Sequence, residues 1–213
     1  MTQIAICGCS WASDFDSSKY SNTEVTNNSQ LWQYNLDLGY EPKIYAQPGS
    51  TNLKIYTQIH KAIEDGFKMC LVFLTSPTRI NIAWKETDGW NFESKFNWGR
   101  TDVVNKDAPQ ETQEYIAKYF NEDLETLNSF VITEAIYWKL KQTGKPFRIF
   151  TNAFTDYIHE DWKIFNQPNV IRNGPYELIK QKEYQGDDVP NHLSLIGQTR
   201  AKNLVLSYIN KNG

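Results

Sequence analysis

Three residues of this chain have side chains suited to acyl-transfer catalysis, and they lie near its two ends. Ser10 follows the short apolar run 4–7, whereas Asp188 and His192 precede the last helical pattern. A serine hydroxyl is a weak nucleophile until a base removes its proton, and a histidine oriented by a carboxylate is the commonest solution. We therefore predict a hydrolase in which Ser10 and His192 form the nucleophile–base pair.

Acyl transfer also needs hydrogen-bond donors that are directed at the oxyanion of the tetrahedral intermediate. Gly49 follows a second apolar run, and Asn52 comes three residues later. The backbone N–H groups of Ser10 and Gly49 and the side chain of Asn52 are the candidate donors. A purely structural interpretation stays open, because glycine suits a turn with positive φ and Asn52 is able to cap the helix that follows.

The chain alternates between apolar, β-branched runs and helical patterns. Strands are predicted at 4–7, 42–46, 69–74 and 147–151, and helices at 29–38, 53–64, 110–120, 124–142 and 195–210. Such alternation is typical of a parallel sheet covered by helices on both faces. Ligands of these sheets bind outside the carboxyl ends of the strands, where Ser10, Gly49 and Thr75 are all expected.

Three blocks of the sequence resemble the SGNH hydrolases, the GDSL-type esterase and lipase family. The run Gly8-Cys9-Ser10-Trp11 resembles the Gly-Asp-Ser-Leu block, Gly49 resembles the oxyanion glycine, and the stretch from His192 to Gly197 resembles the last block. The resemblance implies a flavodoxin-like three-layer α/β/α fold with a mostly parallel sheet. It also implies that Ser10 is the nucleophile and His192 the base, with no metal or organic cofactor.

The acidic member of the triad departs from the family pattern. Val189 stands three residues before His192, where the family has its aspartate, and the nearest acids are Asp188 and Asp187. We predict that Asp188 orients His192. The alternatives are that Asp187 does so, or that a Ser–His dyad acts alone.

The third family block, Gly-x-Asn-Asp, is replaced by the run 75–79, Thr-Ser-Pro-Thr-Arg. This variant resembles that of phage-encoded SGNH-like proteins. Ser76 or Thr78 is then expected to donate by its hydroxyl in place of the family asparagine, or Asn81 does so by its amide.

Two long segments interrupt the alternation, at 12–28 and at 81–108, and loops of this length in a compact domain are usually functional or mobile. The second is aromatic, with indole faces suited either to packing or to stacking on sugar rings. Arg79 and Arg100 lie close to it in sequence and are candidates for binding an acidic or hydroxylated ligand. The aromatic residues in question are Trp84, Trp90, Phe92, Phe96 and Trp98.

Length and composition narrow the function classes further. The 213 residues fit one domain over 1–213, and the net charge of −3 without a basic block argues against nucleic acid as a partner. No apolar run approaches the ~20 residues of a membrane span, and strand 4–7 leaves no room for a signal peptide before it. Three scattered cysteines favour a reducing compartment. We expect a soluble protein made in the cytoplasm, in a host cell or a virion if it is phage-encoded.

The remaining two histidines carry no catalytic pattern. His60 falls within a predicted helix, and His159 is predicted on a surface helix beside Glu160 and Asp161. Adjacent residues on a helix point in different directions and do not converge on one ion, so no metal site is predicted.

Together these observations favour a serine esterase that removes a small acyl group, such as acetyl, from a small-molecule or glycan ester. A lysophospholipase or acyl-thioesterase with the same triad is one alternative. A non-catalytic SGNH-like module that binds glycans, or a structural or accessory part of a phage particle, is the other. The altered third block and the displaced aspartate motivate that last alternative.

Overall fold

The computed structural model describes most of the chain and leaves several segments outside the description. The described residues are 3–10, 12–14, 25–86, 89–95, 110, 114, 118–152, 157–158, 161–172, 174–179, 181, 184 and 193–210, with the backbone alone for 80–86, 89–95, 176 and 179.

A five-stranded parallel sheet forms the middle layer. Strand β1, Gln3–Gly8, pairs with β2, Glu41–Ile44, on one side and with β3, Met69–Phe73, on the other. Strands β6, Phe147–Phe150, and β7, Val170–Ile171, extend the sheet beyond β3, so that the order is β2-β1-β3-β6-β7. The predicted parallel sheet is confirmed.

Helices cover both faces of this sheet. Helices α1, Asn52–Asp65, and α2, Glu122–Gln142, pack against each other on one face. Helix α4, Leu195–Asn210, covers the other face, and the short helix α3, Tyr176–Ile179, packs against it. The three-layer α/β/α architecture is therefore confirmed, as are the predicted helices 53–64, 124–142 and 195–210.

The sheet is apolar on both faces because its strands are buried on both sides. Along β1, Ala5 and Cys7 lie in the cluster under α1 and α2, whereas Ile4 and Ile6 lie in the cluster under α4. A buried parallel strand is therefore a continuous apolar run, which is why the central strands are visible in the sequence.

Polar side chains begin the helices, but the cap of α1 is Thr51 and not Asn52, which is the first helical residue. The Thr51 side chain accepts a hydrogen bond from the Lys54 N–H, at 3.2 Å, and begins α1. The Asn121 side chain does the same for the Leu124 N–H, at 3.0 Å, and begins α2. Gly66, with φ of 77°, ends α1 in a conformation that favours glycine. None of the described helices is long and apolar enough to cross a membrane.

The predicted helix 29–38 is wrong, because this segment forms two short 3-10 turns, Asn28–Gln30 and Trp32–Asn35, separated by the extended residue Leu31. The Trp32 N–H donates to the side chain of Gln198 on α4, at 3.0 Å, and is thereby lost to a continuing helix. The Asn35 side chain donates to the Leu31 carbonyl in place of a helical N–H. Tertiary and side-chain hydrogen bonds thus override the helical pattern.

Two further predictions need correction. The segment 81–108 is predicted as a loop, but Ile80–Glu86 and Gly89–Lys95 pair as an antiparallel hairpin, β4 and β5. The Asp88-Gly89 dipeptide is a hairpin signal that the aromatic content obscures. Strand β7 is missed because two residues carry no periodicity. Of the predicted helix 110–120, the described residues Gln110, Glu114, Lys118 and Tyr119 are helical, and Phe120 is not. His159 lies outside the described residues.

The packing of α2 against the sheet gives a stability prediction. The Ile136 side chain is fully buried in the cluster under α1 and α2. We expect Ile136→Ala to lower the free energy of unfolding by about 2–5 kcal/mol through lost burial and a residual cavity. Glu134→Ala, at an exposed position of the same helix, should change it by less than about 0.5 kcal/mol. Urea titration followed by circular dichroism measures both, and equal shifts would contradict this packing.

Candidate active site

Three of the polar clusters singled out in the sequence meet at one edge of the sheet. Ser10 follows β1, the turn with Gly49 and Ser50 follows β2, and the run 75–79 follows β3. Because β2, β1 and β3 are neighbours and parallel, their carboxyl ends share this edge. Hydrogen bonds connect the segments that follow these three strands, which we call the strand exits.

Ser10 lies in a tight turn directly after Gly8, the last residue of β1. A side chain at Gly8 would place its Cβ 3.0 Å from the Phe73 carbonyl oxygen and 3.1 Å from the Phe73 Cβ, so a larger residue would require β3 to shift by a few tenths of an ångström. The Ala12 N–H closes the turn on the Cys9 carbonyl, at 3.0 Å. Ser10 is half-buried, and within the described part of the chain its hydroxyl makes no hydrogen bond.

The exit of β1 is held by the side-chain amide of Gln58, which comes from the second turn of α1 and is buried. Its oxygen accepts from the Gly8 N–H at 2.8 Å, and its nitrogen donates to the Gly8 carbonyl at 3.1 Å. The same nitrogen donates to the Ser50 hydroxyl at 2.9 Å. One amide therefore connects the end of β1, the turn after β2 and α1. Sequence reasoning misses it, since a glutamine in a helix carries no signal of its partner.

Asn52, the first residue of α1, joins this helix to the exit of β3. Its side-chain oxygen accepts from the Thr75 N–H at 2.9 Å, and its nitrogen donates to the Thr75 carbonyl at 3.2 Å. Both residues are buried. A primary amide has two N–H groups, so one remains for a further acceptor after the bond to Thr75.

Arg79 is also buried, and its guanidinium donates to the Ser50 carbonyl at 2.7 Å. In the same run, the hydroxyls of Ser76 and Thr78 lie 3.0 Å apart and share a hydrogen bond. The hydroxyl of Ser129, on α2, donates to the Pro77 carbonyl at 2.8 Å. The run 75–79 is thus fixed to two helices and to the turn after β2.

Gly49 adopts φ of 77°, in the left-handed region that favours glycine. Within the described residues, neither the Gly49 N–H nor the Ser10 N–H donates to any acceptor. Both residues are partly exposed and belong to adjacent strand exits. They are available to an anionic oxygen at this edge.

The chain beyond Ser10 is held by a second buried amide. The Gln33 side chain donates to the Ser13 carbonyl at 2.7 Å, while the Ser13 hydroxyl donates to the Ser10 carbonyl at 3.1 Å. Gln33 is 1% exposed, and within the described residues its side-chain oxygen has no hydrogen-bond partner. Nearby, Tyr34 donates to the Asp14 carboxylate. Burial and this carboxylate raise the pKa of Tyr34, so its hydroxyl stays protonated.

A cleft of about 470 Å³ opens between the exit of β2 and α1, and Asp14, four residues after Ser10, contributes to its wall. Polar and charged side chains form much of its wall, including Gln58, which also holds Gly8. The lining residues are Asp14, Ile44, Tyr45, Ala46, Gln47, Lys54, Thr57, Gln58 and Lys61.

His192, Asp188 and Asp187 lie outside the described residues, and so do Arg100, Phe96 and Trp98. Leu193, next to His192 in sequence, is buried in the same apolar cluster as Ala12, two residues after Ser10. A Cβ at Gly197 would lie 2.6 Å from the Tyr184 carbonyl oxygen, so the glycine of the last block allows α4 to approach that residue. Among the residues that the structure describes, no group of three possible ligands is placed to hold a metal ion.

Comparison with known proteins shows the fold. No protein-family model matches this sequence, and no curated protein matches it. Among solved structures, the psychrotrophic esterase EstA from Pseudoalteromonas sp., in a structure inhibited by monoethylphosphonate, is similar with a TM-score of 0.52 and 8% identity over 99% of this chain and 98% of its own. TesA is similar with a TM-score of 0.51 and 12% identity over 99% of each chain. At these identities the likeness establishes a shared three-layer fold.

The geometry of this edge predicts a specific effect of Gln58. Gln58→Leu keeps the side-chain size but removes the acceptor of the buried Gly8 N–H, which we expect to cost about 1–3 kcal/mol of unfolding free energy. Gln142→Leu, at the exposed end of α2, should leave stability almost unchanged. Chemical denaturation compares the two variants, and an unchanged midpoint for Gln58→Leu would rule out a structural role of this amide.

Proposed function

We propose that this protein is a serine esterase that removes a small acyl group, such as acetyl, from a polar ester such as a decorated glycan. Ser10 attacks the ester carbonyl, His192 takes the hydroxyl proton and delivers it to the leaving alcohol, and Asp188 or Asp187 orients His192. Water then hydrolyses the acyl-enzyme with His192 again as the base. No step requires a metal or organic cofactor.

The observation that carries this proposal is the position of Ser10. It stands at the exit of β1, between two strand exits and beside two backbone N–H groups that are unpaired within the described residues. A hydroxyl next to free donors is the arrangement that acyl transfer needs, because the donors stabilise the charge that develops on the carbonyl oxygen. The three-layer fold shared with EstA, which is an esterase inhibited by a phosphonate, is consistent with this role.

We assign the oxyanion to the N–H groups of Ser10 and Gly49, with the second N–H of Asn52 as a third donor. The hydrogen bonds from Asn52 to Thr75 hold its amide at the edge of the sheet. Ser76 and Thr78 are the remaining hydroxyl donors in the third block, and Arg79 acts through the Ser50 carbonyl that it binds.

Support for His192 as the base comes from its neighbour in sequence. Leu193 is buried in a cluster that also contains Ala12, from the turn that carries Ser10. Leu193 and Ala12 therefore border the same apolar layer, and position 192 is next to it in sequence. The role of His192 thus rests on its place in the last family-like block of the sequence and on the burial of Leu193.

Support for a polar ester comes from the cleft between the exit of β2 and α1, which is joined to the exit of β1 through Gln58. Its wall contains the charged side chains of Asp14, Lys54 and Lys61 and the polar ones of Gln47 and Thr57. A long acyl chain would leave such groups desolvated without partners, at a cost in free energy. A short acyl group on a hydroxylated alcohol leaves them hydrated or hydrogen-bonded.

The nucleophile is tested with a fluorophosphonate probe, which phosphonylates activated serine hydroxyls. We expect one adduct, mapped to Ser10 by peptide mass spectrometry, that is lost in Ser10→Ala. His192→Ala should slow labelling and ester hydrolysis by at least about 10⁴-fold, because the nucleophile and its base act as a unit and neither is effective without the other. Ser13→Ala, which keeps Ser10, is the matched serine control and should still be labelled.

A folded protein that forms no adduct would overturn the enzyme proposal and favour the non-catalytic glycan-binding module. An adduct on another serine would overturn the assignment of Ser10. Circular dichroism of each variant separates either outcome from loss of fold.

The substrate class is tested separately with 4-nitrophenyl esters of increasing acyl length and with acetylated sugars. We expect kcat/KM to be highest for acetate and to fall by about tenfold or more by the octanoate, because the cleft wall is polar. A rise in kcat/KM with chain length would instead favour the lysophospholipase or acyl-thioesterase alternative while leaving Ser10 as nucleophile.

A further inference from the structure

Helix α2 is apolar on two faces, of which the described residues of the chain bury one. Its inner face is buried, whereas five residues on the outer face form an exposed apolar row, which we call the α2 stripe: Leu124, Leu127, Val131, Ala135 and Trp138. The four large side chains of the stripe are 47–56% exposed. A contiguous row of this kind marks an interaction surface more often than a solvated one.

The spacing of the α2 stripe is that of a helix–helix seam. Its positions follow one another at intervals of three and four residues, which keeps them in line along one side of an α-helix. Two such rows pack side by side at a shallow angle, as in bundles and coiled coils. The occupant that this surface fits is therefore another helix.

The stripe is also symmetric about its middle residue. Leu124 and Trp138 lie seven residues to either side of Val131, and Leu127 and Ala135 lie four residues to either side. If two copies of α2 cross antiparallel at Val131, Leu124 faces Trp138 of the second copy and Leu127 faces its Ala135. The larger Leu127 then meets the small Ala135 and the larger Trp138 meets Leu124, a pairing of unequal side chains that helps to fill a helix interface.

The charged residues at the two ends of α2 also favour antiparallel packing. The first turn of α2 carries Glu122, Asp123 and Glu125, and its last turn carries Lys139 and Lys141. Antiparallel packing about Val131 sets Asp123 opposite Lys139 of the second copy, whereas parallel packing would set like charges together. Complementary charges at both ends favour the antiparallel pair and disfavour the parallel one.

We propose that the α2 stripe is the two-fold interface of a homodimer, in which two copies of α2 pack antiparallel about Val131. A two-fold interface uses the same patch on both subunits, so a self-complementary stripe satisfies its requirement. The proposal does not depend on the esterase activity.

The test begins with sedimentation velocity of the full chain over a range of concentrations. We expect a dimer for the unaltered protein. Val131→Glu places two carboxylates opposite each other at the axis and should raise the dimer Kd at least about a hundredfold. Arg200→Glu, at an exposed position of α4, is the matched charge control and should leave Kd unchanged.

Register and direction are tested by disulfide crosslinking with copper–phenanthroline and oxygen as the oxidant. In antiparallel packing, Val131→Cys brings two thiols together at the axis, whereas Leu124→Cys faces Trp138 of the second copy and should not crosslink. The native cysteines Cys7, Cys9 and Cys70 are buried, so they do not compete.

Charge reversal adds an independent arm. Asp123→Lys should weaken the dimer, and combining it with Lys139→Asp should restore it, because both interface pairs are then reversed. A protein that is monomeric at every concentration would overturn the proposal. So would a dimer that Val131→Glu leaves intact, or efficient crosslinking through Leu124→Cys. Because the changed positions lie on the outer face of α2, circular dichroism should show an unaltered fold.

Discussion

The candidate site depends on one close approach and on the amide that holds it. Gly8 brings the end of β1 so near to Phe73 of β3 that a Cβ there would be in tight contact with it, and Gln58 binds both polar groups of the Gly8 backbone. Since Gln58 also binds Ser50, the exits of β1 and β2 are positioned from α1. This arrangement also positions Ser10 and Gly49, because Ser10 is two residues after Gly8 and Gly49 is next to Ser50.

Neutral amides make most of the long-range hydrogen bonds described at this edge. Asn52 binds Thr75, Gln33 binds Ser13, and the Asn152 side chain donates to the Leu74 carbonyl at 3.3 Å. Such groups satisfy buried backbone atoms without the desolvation cost of a buried ion. They also add no charge of their own, so the backbone N–H groups of Ser10 and Gly49 keep their full attraction for an anionic oxygen.

Sequence reasoning predicts the central strands and the long helices because burial imposes a period on local residues. The continuous apolar runs of β1 and β3 and the capped patterns of α1 and α2 are visible without any partner. The helix predicted at 29–38 is wrong. The segment has a helical pattern, but the Trp32 N–H donates to the Gln198 side chain of α4 and not to a carbonyl of its own segment. Sequence reasoning also misses β7, which is too short to show a period, and the hairpin β4–β5, which lies within an aromatic segment predicted as a loop.

Local sequence was sufficient to predict the central strands and the long helices, and with them the positions of Ser10, Gly49 and the run 75–79 after successive strands. These predictions follow from local patterns of apolar residues and from the rule that parallel strands end at one edge. Which amide binds which backbone group is set by tertiary packing. Gln58 is 50 residues from Gly8, and Gln198 is 166 residues from Trp32. A side-chain amide is able to bind any backbone group within hydrogen-bonding distance. Its partner therefore depends on how the chain packs and is not predictable from the neighbouring residues in sequence.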